Sequence, residues 1–260
     1  MATPMRSYGD EVVVLRAQQL GEADRILTLF GRERGKIRAV ARGVRRTNSK
    51  IGGRLEPFAV VDAQLYSKNP DDRSRLETVT QAVTVESFAE AIVADYERYA
   101  AANAMVESVD EIIDAEPAAL QYALLLQGLR SLTSGERDPL LELDAYLLRS
   151  LSLAGWEPSF NECARCGAPG PHARISFAAG GAVCASCAPG CGATLAAHID
   201  TMRLLWALLA GNWRVAEGSD QATRADASRI VKAYVTYHLD RQLKSFTAID
   251  EVWRMRNAGG

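Results

Sequence analysis

The sequence predicts an α+β chain of more than one domain: a small N-terminal β-barrel, then an all-α region interrupted by a cysteine-rich insertion. Three observations predict it. Strand-like runs of β-branched and alternating residues fill the first 84 positions, apolar residues recur every three or four positions from residue 85, and residues 158–192, which hold all five cysteines, follow neither period. With 260 residues, 48% hydrophobic and 24% charged, the chain exceeds what one small core needs. The expected division is 1–84 for the barrel and 85–260 for the helical domain, with 158–192 inserted into the latter.

Five strands are expected in the first block: Val12 to Leu15, Arg25 to Phe30, Gly35 to Gly43, Phe58 to Tyr66 and Leu76 to Ala82, each bounded by Gly, Pro, Asn or charged turn residues. Five short strands suggest a small barrel or sandwich, and a barrel of the oligonucleotide-binding (OB) type is one five-stranded solution. Alternation along the third strand places Lys36, Arg38, Val40 and Arg42 on one face and Ile37, Ala39 and Ala41 on the other, so one face packs while the other presents cations.

The second block changes period. Phe88, Ile92, Tyr96, Tyr99, Ala102, Val106, Val109 and Ile113 form the stripe of one long amphipathic helix. Glu116-Pro117 ends it; Ala118 to Leu132 and Leu140 to Leu153 follow as helices, the latter introduced by Asp138-Pro139. After the insertion, Thr201 to Leu209 and Ala222 to Leu243 return to helical patterning, and Asn257 to Gly260 read as a frayed end. No run approaches the roughly 18 apolar residues of a membrane span.

Within the insertion, Cys163-x2-Cys166 and Cys184-x2-Cys187, 17 residues apart, have the spacing of a four-cysteine structural zinc site. Two residues between ligands let adjacent thiolates converge on one ion, Gly167 permits the tight turn behind the first pair, and Ile175, Phe177 and Val183 supply a small hairpin turning at Gly180-Gly181. Disulfides are disfavoured because the N-terminus lacks the apolar core of a secretory signal, which points to a reducing cytoplasmic setting; a redox motif would need only one pair beside a βαβ pattern. Cys191 either replaces Cys187 or stays unligated. Four cysteines fill the tetrahedron, leaving no open position for catalysis at the metal.

The formal net charge of -2 argues superficially against a polyanionic partner, but the charge is segregated: residues 1–84 net +5, 85–157 net -10 and 158–260 net +3. Residues 25–54 hold Arg25, Arg32, Arg34, Lys36, Arg38, Arg42, Arg45, Arg46, Lys50 and Arg54 against one acid, Glu33. Arginine outnumbers lysine in this run, and its planar guanidinium suits phosphate and stacks on bases. A solvated surface is the bland alternative; the single sign of the run and its interleaved glycines favour nucleic-acid binding. Tyr8 and Tyr66 are the stacking candidates, with Phe30 and Phe58 read as core.

Catalytic patterns are missing from the sequence. His172, His198 and His238 form no recognisable motif, and His238 reads as an ordinary packed or surface residue; Gly31 to Lys36 fails the spacing of a phosphate loop, so nucleotide binding is not expected. The acids of the middle block lie at helical surface spacing, not in metal-binding pairs.

The stretches Gly21 to Phe30 (GEADRILTLF), Arg32 to Arg46 (RERGKIRAVARGVRR) and Gly52 to Phe58 (GGRLEPF), with the order strands, helices, cysteine pairs, helices, resemble the RecO family of bacterial recombination mediators. The resemblance implies an OB domain, a helical domain and a four-cysteine zinc module. It further implies binding of single- and double-stranded DNA, strand annealing, capture of the C-terminal tail of the single-stranded-DNA-binding protein SSB, interaction with RecR, and help in loading the recombinase RecA. Arg25, Arg32, Arg34, Lys36, Arg38, Arg42, Arg45, Arg46 and Arg54 match the basic motif, and Cys163, Cys166, Cys184 and Cys187 the zinc pairs. For the acidic SSB tail, which wants a cation beside an apolar groove, Arg130 and Arg137 of the acidic block are the candidates. The competing readings are a zinc-dependent enzyme acting on nucleic acid and a zinc-ribbon scaffold for protein interaction.

Overall fold

A computed structural model describes residues 6–47, 49, 51–68 and 75–258. Lys50 of the basic run lies outside the described residues. The packing divides the chain into two units: residues 1–96 with 109–133, and residues 97–108 with 134–260.

The first unit is built on a closed barrel of β1 (Ser7–Leu20), β2 (Asp24–Gly31), β3 (Gly35–Ala41), β4 (Ala59–Tyr66) and β5 (Glu77–Ser87), in the order β1-β2-β3-β5-β4. All five expected strands are present. Every neighbouring pair is antiparallel except β3 with β5, which run parallel through Ala39 opposite Glu77. β1 closes the barrel because it serves two neighbours: Ser7 to Val13 pair with β4, and Val12 to Leu20 with β2. A bulge between Val14 and Arg16 bends the strand where it changes partner. Val12, Val14, Leu27, Leu29, Ile37, Ala39, Ala41, Val61, Ala63 and Leu65 point inward and exclude water. Their period of two is what leaves the other face of each strand for polar groups.

The helical stripe from Phe88 to Ile113 is broken, not continuous. α1 (Ala89–Val93) stops after one turn and α2 (Tyr96–Ile112) starts afresh, with Asp95 in the preceding position that favours a short acid. α3 (Ala119–Ser134) follows. The β2–β3 hairpin seats on the link before α3: Gly35 has φ +69°, its N–H neighbour Lys36 donates to the Asp114 carbonyl at 2.7 Å, and a Cβ on Gly35 would lie 2.1 Å from the Glu116 carbonyl oxygen. Only glycine fits there.

In the second unit α4 (Pro139–Leu153) is buried along almost its whole length. Asp138 caps it by accepting from the Leu140 and Leu141 N–H groups, with Pro139 in the first turn, as the sequence leads one to expect. α4 packs on α5 (Ile199–Ala210) and α7 (Gln221–Leu239). The short α6 (Trp213–Glu217) and the terminal α8 (Phe246–Ala258) have no counterpart in the sequence reading, which expected one helix from 222 to 243 and a frayed end. Asp240, at φ +51°, terminates α7, and Glu107 accepts from the Lys244 and Ser245 N–H groups at 3.1 and 2.8 Å as the next helix begins. Between α4 and α5 sits a small sheet of β6 (Arg174–Ser176), β7 (Gly181–Ala182) and β8 (Leu195–Ala196), ordered β7-β6-β8.

Candidate nucleic-acid interface and metal centre

The basic run separates into two populations. In the first, each cation has a partner inside the protein. Arg25 pairs with Glu56 at 2.7 Å, Arg32 with Glu11 at 3.6 Å, and Lys36 with Asp110 at 3.3 Å. The Arg34 guanidinium lies 3.7 Å from the centre of the Tyr8 ring. The exposed Arg45 donates to the Gly21 and Glu22 carbonyls, and Arg54 to the Ala82 carbonyl at 2.8 Å.

The second population is Arg38, Arg42 and Arg46. Arg38 projects from the outer face of β3, and the other two lie just beyond the strand; all three are exposed, and none has an ion pair or side-chain hydrogen bond among the described residues. The turn that carries them is fixed by Asp24, whose carboxylate accepts from the Gly43 N–H at 2.8 Å. Three exposed guanidinium groups without a partner among the described residues leave positive charge open to an anion.

Stacking aromatics are a different matter. Tyr8 is buried, its hydroxyl donates to Glu77 at 2.5 Å and Arg34 covers its ring, so it offers no platform. Burial and the Glu77 carboxylate push its phenol well above the usual range. Phe30 and Phe58 are core residues as expected, and Tyr66 is half-buried. Among the described residues of the barrel no aromatic side chain is exposed.

At the other site the two knuckles converge. The sulfurs of Cys163, Cys166, Cys184 and Cys187 all lie within 4.8 Å of one another. Cys166 and Cys184 are 3.9 Å apart, matching the roughly 3.8 Å edge of a tetrahedron with 2.3 Å metal–sulfur bonds. Each knuckle folds on itself: Gly167, at φ +71°, donates to the Cys163 carbonyl, and Ala188 to that of Cys184. The Cys184 N–H points at the Cys163 sulfur at 3.4 Å, and this is the main reason the Cys163 thiol is drawn down to about 6. Cys191 stands outside the quartet; its buried thiol donates to the Cys187 carbonyl at 3.1 Å. Val183 packs in one buried cluster with Cys163 and Cys191, Ile175 is buried on β6, and Phe177 packs edge-on to Tyr234 at 5.6 Å. The quartet can bind a metal ion.

Arg130 and Arg137 are each engaged. Arg130 grips Glu86 through Nε and Nη2, the shorter contact being 2.7 Å. Arg137 lies 3.4 Å from Glu142 and over the Trp213 ring at 4.2 Å. His238 stacks on Trp156 and meets Tyr234 and Tyr237 edge-on, a packed histidine whose pKa burial lowers.

Fold and site together define an OB-type barrel protein with a helical unit and an inserted four-thiol metal module. Comparison with known proteins is consistent along the chain. Residues 5–88 match the family model for the recombination protein O N terminal region, and residues 93–246 that for its C terminal region. The chain is 47% identical over 251 residues to the DNA repair protein RecO of Streptomyces avermitilis and 45% identical over 251 residues to that of Streptomyces griseus, in each case across 95% of this chain and all of the relative. It belongs to the RecO family. Among the described residues no helix is long and apolar enough to cross a membrane.

Proposed function

We propose that this protein is a non-catalytic recombination mediator that binds single- and double-stranded DNA, promotes annealing, and helps load RecA onto SSB-coated single strands. The observation that carries the reading is the exposed set Arg38, Arg42 and Arg46 of the first unit, unpaired among the described residues. Phosphates of two strands repel; guanidinium groups between them neutralise that repulsion and release counterions, which needs neither nucleotide nor covalent chemistry. Arg25, Arg32, Arg34, Lys36, Arg45 and Arg54 shape and support this surface. Work on the nucleoid in the cytoplasm follows from the same role.

Zinc is the metal we assign to the four cysteines, since an all-thiolate set at tetrahedral spacing suits it. Bound there, it would tie the two knuckles together and take the place of a core in this short segment. RecR and the SSB tail are the proposed protein partners. An incoming tail carboxylate at Arg130 or Arg137 would compete with Glu86 or Glu142, so affinity for a tail peptide should fall on Arg130→Ala plus Arg137→Ala; unchanged affinity removes that assignment.

The deciding experiment is anisotropy of a labelled oligonucleotide with the purified protein over a salt series, the same sample being assayed for cleavage. Affinity that falls steeply with salt, without cleavage, supports the mediator. A flat salt response would leave the scaffold reading, and strand scission the enzyme reading.

A further inference from the structure

A cavity of about 200 Å³ lies between the metal module and α5 in the second unit. Its lining includes Phe160 and Met202, both buried, and Pro171 and Trp206, both exposed; Trp206 retains 45% of its surface to solvent. Two polar groups share the lining. The Asn161 side chain is exposed and has no hydrogen bond among the described residues, and Arg203, one turn before Trp206 on α5, is held at 2.9 Å by Asp200.

From this combination we infer that the cavity receives an unstacked nucleobase of single-stranded DNA, a second nucleic-acid contact separate from the arginines of the barrel. The chemistry of each wall fits. An exposed indole gives a base a stacking face, the apolar lining replaces the water the base loses, a free carboxamide can both donate to and accept from a base edge, and a guanidinium beside them suits the adjoining phosphate. The volume matches one base and not a folded element. An acidic peptide is the poorer occupant, because Arg203 is the one cation in the lining and is itself paired with Asp200, so a run of carboxylates would meet too little positive charge, whereas a base is held mainly by the apolar and aromatic walls. Among the described residues of the barrel the aromatic side chains are buried or, for Tyr66, half-buried, whereas Trp206 stands exposed.

This inference rests on the DNA-binding reading for its choice of polymer, and the test separates the two. Full-length protein is titrated with a fluorescent oligothymidylate and with an abasic oligonucleotide of equal length, for the wild type, Trp206→Ala, Trp206→Phe and Arg38→Ala/Arg42→Ala/Arg46→Ala. Stacking one base predicts that the wild type binds oligothymidylate about tenfold more tightly than the abasic strand. Trp206→Ala should erase that ratio while leaving abasic affinity unchanged, Trp206→Phe should restore most of it, and the triple arginine variant should weaken both ligands alike. Equal wild-type affinity for the two strands, or a ratio untouched by Trp206→Ala, overturns the base site and leaves the phosphate reading intact. If neither strand binds, both readings fall. Asn161→Ala, on an exposed loop residue, gives a second reading of the ratio should Trp206→Ala not fold.

Discussion

Lys36 of β3 is bound to Asp110 of α2: the ammonium lies 3.3 Å from the carboxylate and also donates to the Asp110 carbonyl, and only 14% of the Asp110 side chain is exposed. A cation that looks in the sequence like part of a DNA surface is thus a tie within its own unit. Arg38, two residues on and on the same face of the strand, has no such partner among the described residues.

The two positions should therefore respond differently to substitution. Lys36→Ala is expected to cost about 1 kcal/mol of stability, measured by urea unfolding, and to leave the salt dependence of DNA binding unchanged. Arg38→Ala, Arg42→Ala and Arg46→Ala combined should leave stability nearly unchanged and reduce the log–log salt slope by roughly 2 to 3, weakening all DNA sequences evenly.

Metal removal should act locally. Cys163→Ser or a strong chelator is expected to release one metal ion per chain, counted by elemental analysis, and to unfold residues 158–192 with loss of near-ultraviolet circular dichroism from Phe177 and its neighbours. Far-ultraviolet helicity should persist, since α4 and α7 pack on each other without the insertion. Cys191→Ser should leave the metal content unchanged.

Asp144 gives the second unit a pH dependence. Fully buried on α4, its carboxyl is raised to about 8 by burial, against the partial opposition of Lys232 and the Ser228 hydroxyl. Unfolded, it ionises near 4. Between about pH 4 and 8 the native chain keeps a proton that the unfolded chain has released, so stability from this group is complete below pH 4 and declines until about pH 8. Asp144→Asn should flatten that decline and raise stability at pH 8 by roughly 1 to 3 kcal/mol, read from unfolding curves across pH.

Asp138 behaves in the opposite sense. Burial pushes its carboxyl upward, but the hydrogen bond and charge of Arg256, at 2.8 Å, outweigh this and hold it below the usual range. Arg256 also holds Glu97 at 2.5 Å, and Arg224 reaches Asp138 at 3.3 Å. A depressed carboxyl stabilises above its unfolded value near 4 and loses that contribution as pH falls through its folded value. Arg256→Ala should cost roughly 2 to 3 kcal/mol near neutral pH and less in acid, as thermal unfolding at several pH values would reveal.

Local patterns were legible where neighbours in the chain decide them. The strand cores follow from alternation, α4 from the Asp138-Pro139 start, and the metal quartet from two Cys-x2-Cys spacings, because each depends on residues a few positions apart. α8 was not legible: the groups opening it are satisfied by Glu107, 137 and 138 positions earlier in the chain. The break at Asp95 was hidden by an apolar stripe that continues across both helices.

Taken alone, the sequence determined the five-stranded module, the helical body, the four thiols and the concentration of positive charge in residues 25–54; closure of the strands into a barrel came with the β3–β5 pairing. Only the tertiary structure decided which of those charges are free. Arg25 meets Glu56 across 31 positions, and Lys36 meets Asp110 across 74. Charge can be counted along a chain, but an ion pair is a distance in space, and the fold that brings those acids to those bases is what leaves Arg38, Arg42 and Arg46 facing solvent.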